Sequence, residues 1–268
     1  MLAIAALESF EDRLSGLDED GATVFLFHPE ALELDPSEPA PDTENQTTIR
    51  QVIEGCRKVL DCCGREDIPI VVVNDGSTDS TAKYAEETRV HIIHHPQNLG
   101  KGMAIKTAIS YAIEQHWDAR LTIDADYQHD PNDIPSFLEA HQAQPDAIIL
   151  GKRAFKEMPF LSKFSRTMAA FWFFAATSVL IKDTQTGFRL YPLNALKRME
   201  LTCGRFTTEW EILFKAVWLK IPVKDVAIKT IYYSGEKNQR RYRVFLDTAR
   251  FFPVYFKLLL RRPWTKSQ

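Results

Sequence analysis

The chain has 268 residues, 45% of them hydrophobic and 26% charged, with 11 glycines, 14 prolines and 4 cysteines. This composition is that of a globular protein and excludes a disordered chain, a collagen-like chain and a disulfide framework. The net charge of -3 conceals an asymmetry: residues 1–150 hold 10 Lys and Arg against 28 Asp and Glu, whereas residues 151–268 hold 23 against 8. The pattern indicates an acidic half and a basic half suited to meet anions.

The longest apolar stretch, Met168 to Ile181, is 14 residues long and flanked by Lys163, Arg166 and Lys182. It is too short to span a bilayer, which takes about 20 apolar residues, so it predicts a buried or interfacial helix. The N-terminus lacks the basic region and cleavage site of a signal peptide, and the cysteines have no CxxC or metal-ligand spacing. We therefore expect a cytoplasmic protein with free thiols.

Strands and helices alternate along residues 23–150. The apolar run 69–73, for example, is typical of a strand buried on both faces, whereas the Pro-rich stretch 29–44 predicts a surface loop. Strands are predicted at 23–28, 69–73, 90–93, 119–123 and 147–150, and helices from Ile49 to Leu60 and at 80–88, 103–115 and 133–143. The alternation predicts an α/β fold with a doubly wound, mostly parallel sheet, whose ligands bind at the carboxyl ends of the strands.

Beyond residue 150 the pattern predicts helices around 161–180, 193–199 and 208–219, a strand near 226–232, and a basic tail. No linker separates the two halves. We expect one domain over residues 1–235, with a nucleotide-binding half at about 20–150 and an acceptor half at about 151–235, followed by a basic amphipathic tail at 236–268.

Three polar segments follow predicted strands. Asp124-Ala-Asp126 places two carboxylates at a strand end, where with Gln128 they suit a hard divalent cation; a solvated turn is the alternative. In the segment 74–79, Gly76 permits a tight turn and Asp75 is placed to accept hydrogen bonds, whereas Ser77 and Asp79 are explained by helix capping alone.

The third segment, Asn98-Leu-Gly-Lys-Gly102, precedes a helix. Its glycines permit close backbone approach, and Lys101 is placed to offset phosphate charge near the helix N-terminus. A flexible loop at the helix start is the alternative. The segment matches neither the phosphate-loop consensus nor the dinucleotide fingerprint, in which Ile105 would be glycine.

Four motifs resemble, in order and spacing, those of inverting nucleotide-sugar glycosyltransferases of the GT-A fold. They are V-V-N-D-G-S-T-D, N-x-G-K-G, D-A-D-Y-Q-H and the D-x-x-T-G-F-R of Asp183 to Arg189. The likeness is to the dolichyl-phosphate mannosyltransferase-like and polyprenyl-phosphate glycosyltransferase branch of glycosyltransferase family 2, over residues 45–235. It implies transfer of a sugar from a UDP- or GDP-sugar, with Mg²⁺ or Mn²⁺ bridging the diphosphate.

The resemblance also implies residue roles. Asp75 would contact the nucleoside, with Gly76, Lys101 and Asp124 also at the nucleotide-sugar. Asp126 and Gln128 would hold the metal ion.

On the acceptor side, the resemblance implies that Arg153 and Arg166 bind the phosphate of the acceptor. It places Arg189, Glu209 and Glu211 beside the acceptor, where with Asp124 they form the catalytic set. For Glu211, a solvated charge on a helix face is the alternative.

One motif departs from the family pattern. The P-x-x-N-E that follows the first strand is replaced by Pro41-Asp-Thr-Glu-Asn45, with Asn and Glu exchanged. Because that motif helps to hold the base, a nucleotide-sugar-binding protein with little or no turnover is the alternative to an active enzyme.

A phosphate acceptor is already an anion and needs cations rather than a general base, so the basic half favours an acceptor of the polyprenyl-phosphate type or another lipid-linked acceptor. The stretch 229–268 carries ten Lys and Arg and two acids among aromatic residues, which predicts an interfacial helix on anionic lipid. A helix packed on the sheet is the alternative, and nucleic acid is disfavoured because no nucleic-acid motif accompanies the basic stretch. We expect a peripheral protein at the inner face of a membrane.

Overall fold

The computed structural model describes residues 2–4, 23–27, 44–77, 81–125, 128–154, 160–204 and 207–231. The predicted tail 236–268, the predicted metal ligand Asp126 and most of the altered motif, Pro41 to Thr43, lie outside the described residues.

Eight strands and seven α-helices make up the described part of the chain. The strands are β1 (Leu2–Ile4), β2 (Thr23–Phe27), β3 (Ile70–Asn74), β4 (His91–His94), β5 (Ala119–Asp124), β6 (Ile148–Arg153), β7 (Arg189–Pro192) and β8 (Val223–Ile228). The helices are α1 (Glu44–Cys62), α2 (Thr81–Glu87), α3 (Lys101–Glu114), α4 (Ile134–Ala143), α5 (Phe160–Thr177), α6 (Leu193–Lys197) and α7 (Thr207–Trp218). A 3₁₀ turn, Pro131–Asp133, precedes α4.

The strands form one mixed sheet. β2 pairs in parallel with β3 and β5, β3 with β4, and β6 with β8. β7 lies antiparallel between β5 and β6, and β1 makes antiparallel pairings with β2, β3 and β5. Six of the eight described strands therefore run in one direction, which confirms the predicted α/β class and the mostly parallel sheet.

The core lies on both faces of the sheet, as the unbroken apolar strands predict. Successive residues of β3 point to opposite faces, so Val71 and Val73 pack with α3, α5 and α7. Ile70 and Val72 pack on the other face with α1 and α4. Within the described ranges, no helix combines the length and the apolar character that a membrane span requires.

Two strands, β1 and β7, were absent from the sequence prediction. β7 contains only Arg189-Leu-Tyr-Pro192, yet all four residues are buried, because it sits inside the sheet between β5 and β6. A short strand with an arginine and a proline lacks the apolar run that marks the other central strands.

The topology brings three polar strand ends to one edge. Asn74, Asp124 and Arg153 are the last residues of β3, β5 and β6, which run in the same direction. This edge is where a doubly wound sheet binds its ligands.

Candidate active site

Asp124 ends β5, with about a quarter of its side chain exposed. Its Oδ1 lies 3.6 Å from Lys101 Nζ, and its Oδ2 lies 3.7 Å from His129 Nε2. Burial opposes ionisation of this carboxyl, but Lys101 and His129 outweigh it and hold the pKa of Asp124 far below its ordinary range. Asp124 is therefore a carboxylate at any physiological pH and is available to a cation.

Lys101, the first residue of α3, joins Asp124 to a second carboxylate. Its Nζ lies 2.9 Å from Glu209 Oε2, in the first turn of α7. Burial disfavours the ammonium, but Asp124 and Glu209 together raise the pKa of Lys101. The structure thus brings together three residues that the sequence assigned to the site from three separate segments.

Gly187 lies directly against the Asp124 carboxylate. A Cβ at this position would lie 2.6 Å from Oδ1 and closer still to Oδ2 and Cγ, so that no larger residue fits without moving the carboxylate. The Thr122 hydroxyl, within 2.9 Å of the Gly187 carbonyl oxygen, fixes the loop. The glycine of T-G-F-R is therefore required by the shape of the site.

Asp75 and Gly76 shape the loop that carries Lys101. Asp75 accepts hydrogen bonds from the backbone N–H groups of Leu99 (3.0 Å) and Gly100 (2.7 Å), and its Oδ1 lies 2.6 Å from His95 Nδ1. These contacts hold the loop 95–100 in place, and contact of Asp75 with a nucleoside stays a prediction.

Gly76 has a φ of 73°, in the region that favours glycine, and a Cβ there would meet the backbone of Gln97 and Asn98. The segments that begin at Asn74 and Asn98 are thus one structural unit. That unit fixes the start of α3, where Lys101 stands.

Arg153, Arg166 and Asp183 form a second charged group. Arg153 makes a buried bidentate pair with Asp183, with Nε–Oδ2 and Nη2–Oδ1 distances of 2.7 and 2.8 Å. Burial raises the pKa of Asp183, but Arg153, helped by Arg166, lowers it to about 2. Arg153 therefore contacts Asp183 directly, and Arg166 lies within electrostatic range of the same carboxylate.

Arg189 differs from its predicted catalytic role. Its side chain is fully buried in β7 and donates to the backbone carbonyls of Thr186 (2.6 Å), Thr184 (2.9 Å) and Glu209 (3.2 Å). The guanidinium also lies 4.0 Å from Glu209 Oε1, so its described contacts are all to protein groups in the core. It is a positioning residue that ties the T-G-F-R loop to α7.

Glu211 fits neither the acceptor contact nor the solvated charge. It is fully buried, and its carboxylate accepts hydrogen bonds from the backbone N–H groups of Thr202 (2.9 Å) and Cys203 (2.7 Å). Lys215 Nζ lies 2.9 Å from Oε1. Burial opposes ionisation, but these donors lower the pKa of Glu211, which anchors residues 202–203 to α7. We correct the assignment of Glu211 to the catalytic set.

The predicted metal site is described in part. In the described ranges, which leave out Asp126 and Tyr127, no group of three or more His, Cys, Asp or Glu side chains is placed to hold a metal ion. Asp124 and Gln128 supply oxygen donors, the chemistry that Mg²⁺ and Mn²⁺ prefer. The oxygen atoms of Asp124 and Gln128 therefore suit a hard divalent cation, and Asp126 is the third candidate ligand.

Three site residues were missed in the sequence: His95, His129 and Asp183. His129 and Asp183 belong to motifs that the sequence analysis quoted, so their positions were available as signals. His95 carries no such signal, because its contact with Asp75 arises only from the parallel pairing of β3 and β4.

The fold is found in solved glycosyltransferases. Glucosyl-3-phosphoglycerate synthase from Mycobacterium tuberculosis, in complex with Mn²⁺ and uridine-diphosphate-glucose, superposes with a TM-score of 0.62, covering 92% of this chain and 81% of that chain. At 13% identity, the likeness is one of fold.

Curated relatives are closer in sequence. A UDP-N-acetylglucosamine–dolichyl-phosphate N-acetylglucosaminyltransferase of Methanococcus voltae is 32% identical over 71% of this chain and 84% of its own length. A dolichyl-phosphate beta-glucosyltransferase of Dictyostelium discoideum is 27% identical over 74% of this chain and 66% of its own length. Residues 43–200 match the family described as glycosyl transferase family 2. With the Lys101, Asp124 and Glu209 cluster at the carboxyl edge of a GT-A sheet, the chain belongs to glycosyl transferase family 2.

Proposed function

We propose that the protein transfers a sugar, with inversion, from a nucleoside diphosphate donor to a polyprenyl-phosphate type of lipid acceptor. The observation that carries the proposal is the pairing of two charged clusters. Asp124, Lys101 and Glu209 form one cluster at the carboxyl edge of the sheet, and Arg153, Arg166 and Asp183 form the other around the end of β6.

On the donor side, Lys101 is placed to meet diphosphate oxygens. Its ammonium is held by two carboxylates and by the loop that Asp75 fixes, so its position is set before the donor arrives. Asp124, Asp126 and Gln128 would hold the divalent cation, which when bound neutralises charge on the departing diphosphate.

On the acceptor side, a phosphate monoester needs no general base, because it arrives as an anion. A phosphate oxygen forms the new bond to the anomeric carbon while the bond from that carbon to the diphosphate oxygen breaks. The nucleoside diphosphate leaves with the electron pair, and one displacement inverts the anomeric centre. Arg153 and Arg166 supply the positive charge that orients the acceptor phosphate.

Dolichyl phosphate appears in the names of both curated relatives, which supports this acceptor class. A polyprenol monophosphomannose synthase of Mycolicibacterium smegmatis is a further relative, 28% identical over 50% of this chain and 55% of its own length. These names differ in the sugar, so we propose the acceptor class and leave the sugar to experiment. We further propose peripheral association with the inner face of a membrane, to which the basic tail 236–268 contributes.

The test is a donor and acceptor screen on the full chain. UDP- and GDP-sugars are supplied with Mg²⁺ or Mn²⁺, with and without polyprenyl phosphate, and both released nucleotide and glycosylated lipid are measured. We expect one donor to give lipid-dependent release that EDTA abolishes. Asp126→Ala is expected to abolish it too, whereas Asp146→Asn, at an exposed turn, serves as the matched control.

Silence with every donor, although a nucleotide-sugar binds by calorimetry, would instead favour a binding protein without turnover. Release that is equal with and without lipid would contradict the acceptor assignment alone.

A further inference from the structure

Helix α5 presents an unusual outward face. Phe164, Phe171 and Phe174 are 53%, 54% and 47% exposed, and Leu180, just beyond the helix, is 64% exposed. A helix on the surface of a globular protein normally turns charged and polar residues to solvent. Here the solvent side carries three half-exposed aromatic rings.

The geometry places these rings on one side of the helix. Residues 164, 171 and 174 are separated by seven and three positions, which at 3.6 residues per turn places them on a common face. The opposite side carries Ala169, Phe173 and Ala176, which are buried in the core against α7. α5 therefore has two apolar faces: one packs in the core, and the other carries the three exposed rings.

Polar groups do little to interrupt this face. Thr167 lies within it, but its hydroxyl lies 2.8 Å from the Lys163 carbonyl oxygen and is used inside the helix. The span 160–182 contains no Asp or Glu, and its charged residues are Lys163, Arg166 and Lys182. Lys163 lies about 20° around the helix from Phe174 and flanks the face, whereas Arg166 lies on the opposite side of the helix.

An apolar face with positive charge beside it favours one kind of binding partner. In two copies of the face, Lys163 would meet its own copy with no acidic residue from the span 160–182 to pair with it. A bilayer with anionic headgroups matches both features, because aromatic side chains settle at the level of the headgroups while Lys and Arg meet lipid phosphates.

We propose that α5 is a lipid-docking face, formed by Phe164, Phe171 and Phe174, that lies on an anionic membrane surface. The proposal deepens the proposed function and rests on it for its biological purpose. α5 follows the strand that ends at Arg153, and Arg166 lies on α5 itself. Docking of α5 would therefore hold both arginines near the depth at which a lipid-linked phosphate emerges from the bilayer.

Vesicle flotation of the full chain tests the proposal without substrate. The vesicles are phosphatidylcholine alone or with 30% phosphatidylglycerol, roughly the charge density at which basic surfaces bind, and contain no polyprenyl phosphate. We expect binding to the anionic vesicles. The triple variant Phe164→Ser, Phe171→Ser, Phe174→Ser is expected to weaken the partition coefficient at least about tenfold, since three half-exposed rings lose their burial.

The triple Phe→Leu variant is the matched control, because it keeps an apolar face, and it is expected to bind within about threefold of the native chain. Circular dichroism of both variants establishes that they fold. Equal binding by the Ser variant and the native chain would overturn the proposal. So would a Ser variant that keeps its binding but changes its mass by light scattering, because a second copy would then cover the face.

A chain truncated after Gly235 separates the tail from α5. Residual binding of the truncated chain that the Ser substitutions remove supports the lipid-docking face, whereas complete loss on truncation alone would overturn it. Because these vesicles hold no acceptor, failure to bind is distinguishable from failure of sugar transfer, which is measured in detergent with a short-chain acceptor.

Discussion

Substitution of Gly187 by alanine perturbs the site through a single added methyl group. The new Cβ would lie 2.6 Å from Asp124 Oδ1 and closer to the remaining carboxylate atoms, whereas real Cβ atoms essentially never come within 3.0 Å of another heavy atom. Either the loop or the carboxylate must move.

The loop is the more firmly held of the two. The Thr122 hydroxyl lies 2.9 Å from the Gly187 carbonyl oxygen, the Gly151 N–H donates to the Phe188 carbonyl at 2.8 Å, and Phe188 stacks on Phe137. The Asp124 carboxylate, at the solvent-facing end of β5, is therefore displaced. A displacement of about 1 Å in a catalytic group costs on the order of a hundredfold in rate, or about 2.7 kcal/mol of transition-state stabilisation.

The assay is metal-dependent kcat/KM for the donor identified by the screen, together with the thermal midpoint. Gly204→Ala is the control, because no heavy atom lies within 4 Å of its added Cβ. We expect a loss of about a hundredfold for Gly187→Ala and native activity for Gly204→Ala. Native activity in Gly187→Ala would refute the claim that the position of Asp124 matters, and an equal loss in both variants would show that the effect is not specific to the site.

Three further predictions follow from the buried charges. Lys101→Met leaves Asp124 and Glu209 without their shared cation, so turnover should fall by on the order of a hundredfold, with Lys101→Arg partly active in the same assay. Asp183→Asn removes the partner of the buried Arg153 and should lower the free energy of unfolding in urea by about 3 kcal/mol at pH 7; native stability would show that the pair is dispensable. Burial lowers the pKa of His141 to about 4, below its unfolded value, so the stability that neutral His141 provides is complete above about pH 6.5 and declines as the pH falls towards 4. By linkage the loss from this group is about 2 kcal/mol at pH 5, and urea titrations at pH 7 and 5 should show a smaller drop for His141→Leu than for the native chain.

Much of the sheet and its functional edge could be predicted, because buried strands leave a strong local signal. The run at β3 and the strand before Asp124 are continuous apolar segments, and the end of each was expected to face the ligand crevice. The position of Lys101 in the site was predicted from the N-x-G-K-G motif. Glu209 lies on α7, 85 residues beyond Asp124, so its place in the site was predicted only from the family resemblance.

The misassigned residues share a physical cause. Glu209 and Glu211 are two positions apart on α7, which turns their side chains about 200° from each other. One therefore meets Lys101 and the other meets Thr202, yet the sequence presents them as equivalent. The burial of Arg189 could not be predicted from its neighbours in the sequence either. It depends on β7 lying inside the sheet, a placement set by strands far away in the chain.

The charge asymmetry between the two halves of the sequence is not maintained within the site, where charges from both halves pair. Lys101 from the acidic half neutralises part of Asp124 and of Glu209, and Glu209 comes from the basic half. Arg189 Nε lies 4.0 Å from Glu209 Oε1, so the two carboxylates and the two cations of this group cancel. Each cluster is thus balanced locally, to within one charge.

The group formed by Arg153, Arg166 and Asp183 keeps a net charge. Asp183 cancels one of the charges of Arg153 and Arg166 and leaves one net positive charge for an anionic acceptor. Full pairing would leave no attraction for a phosphate, and two unpaired guanidinium groups around a buried position would be costly to desolvate. For the proposed function, the local charge balance matters more than the totals of the two halves, because it would permit a metal-bound donor and an anionic acceptor to bind side by side.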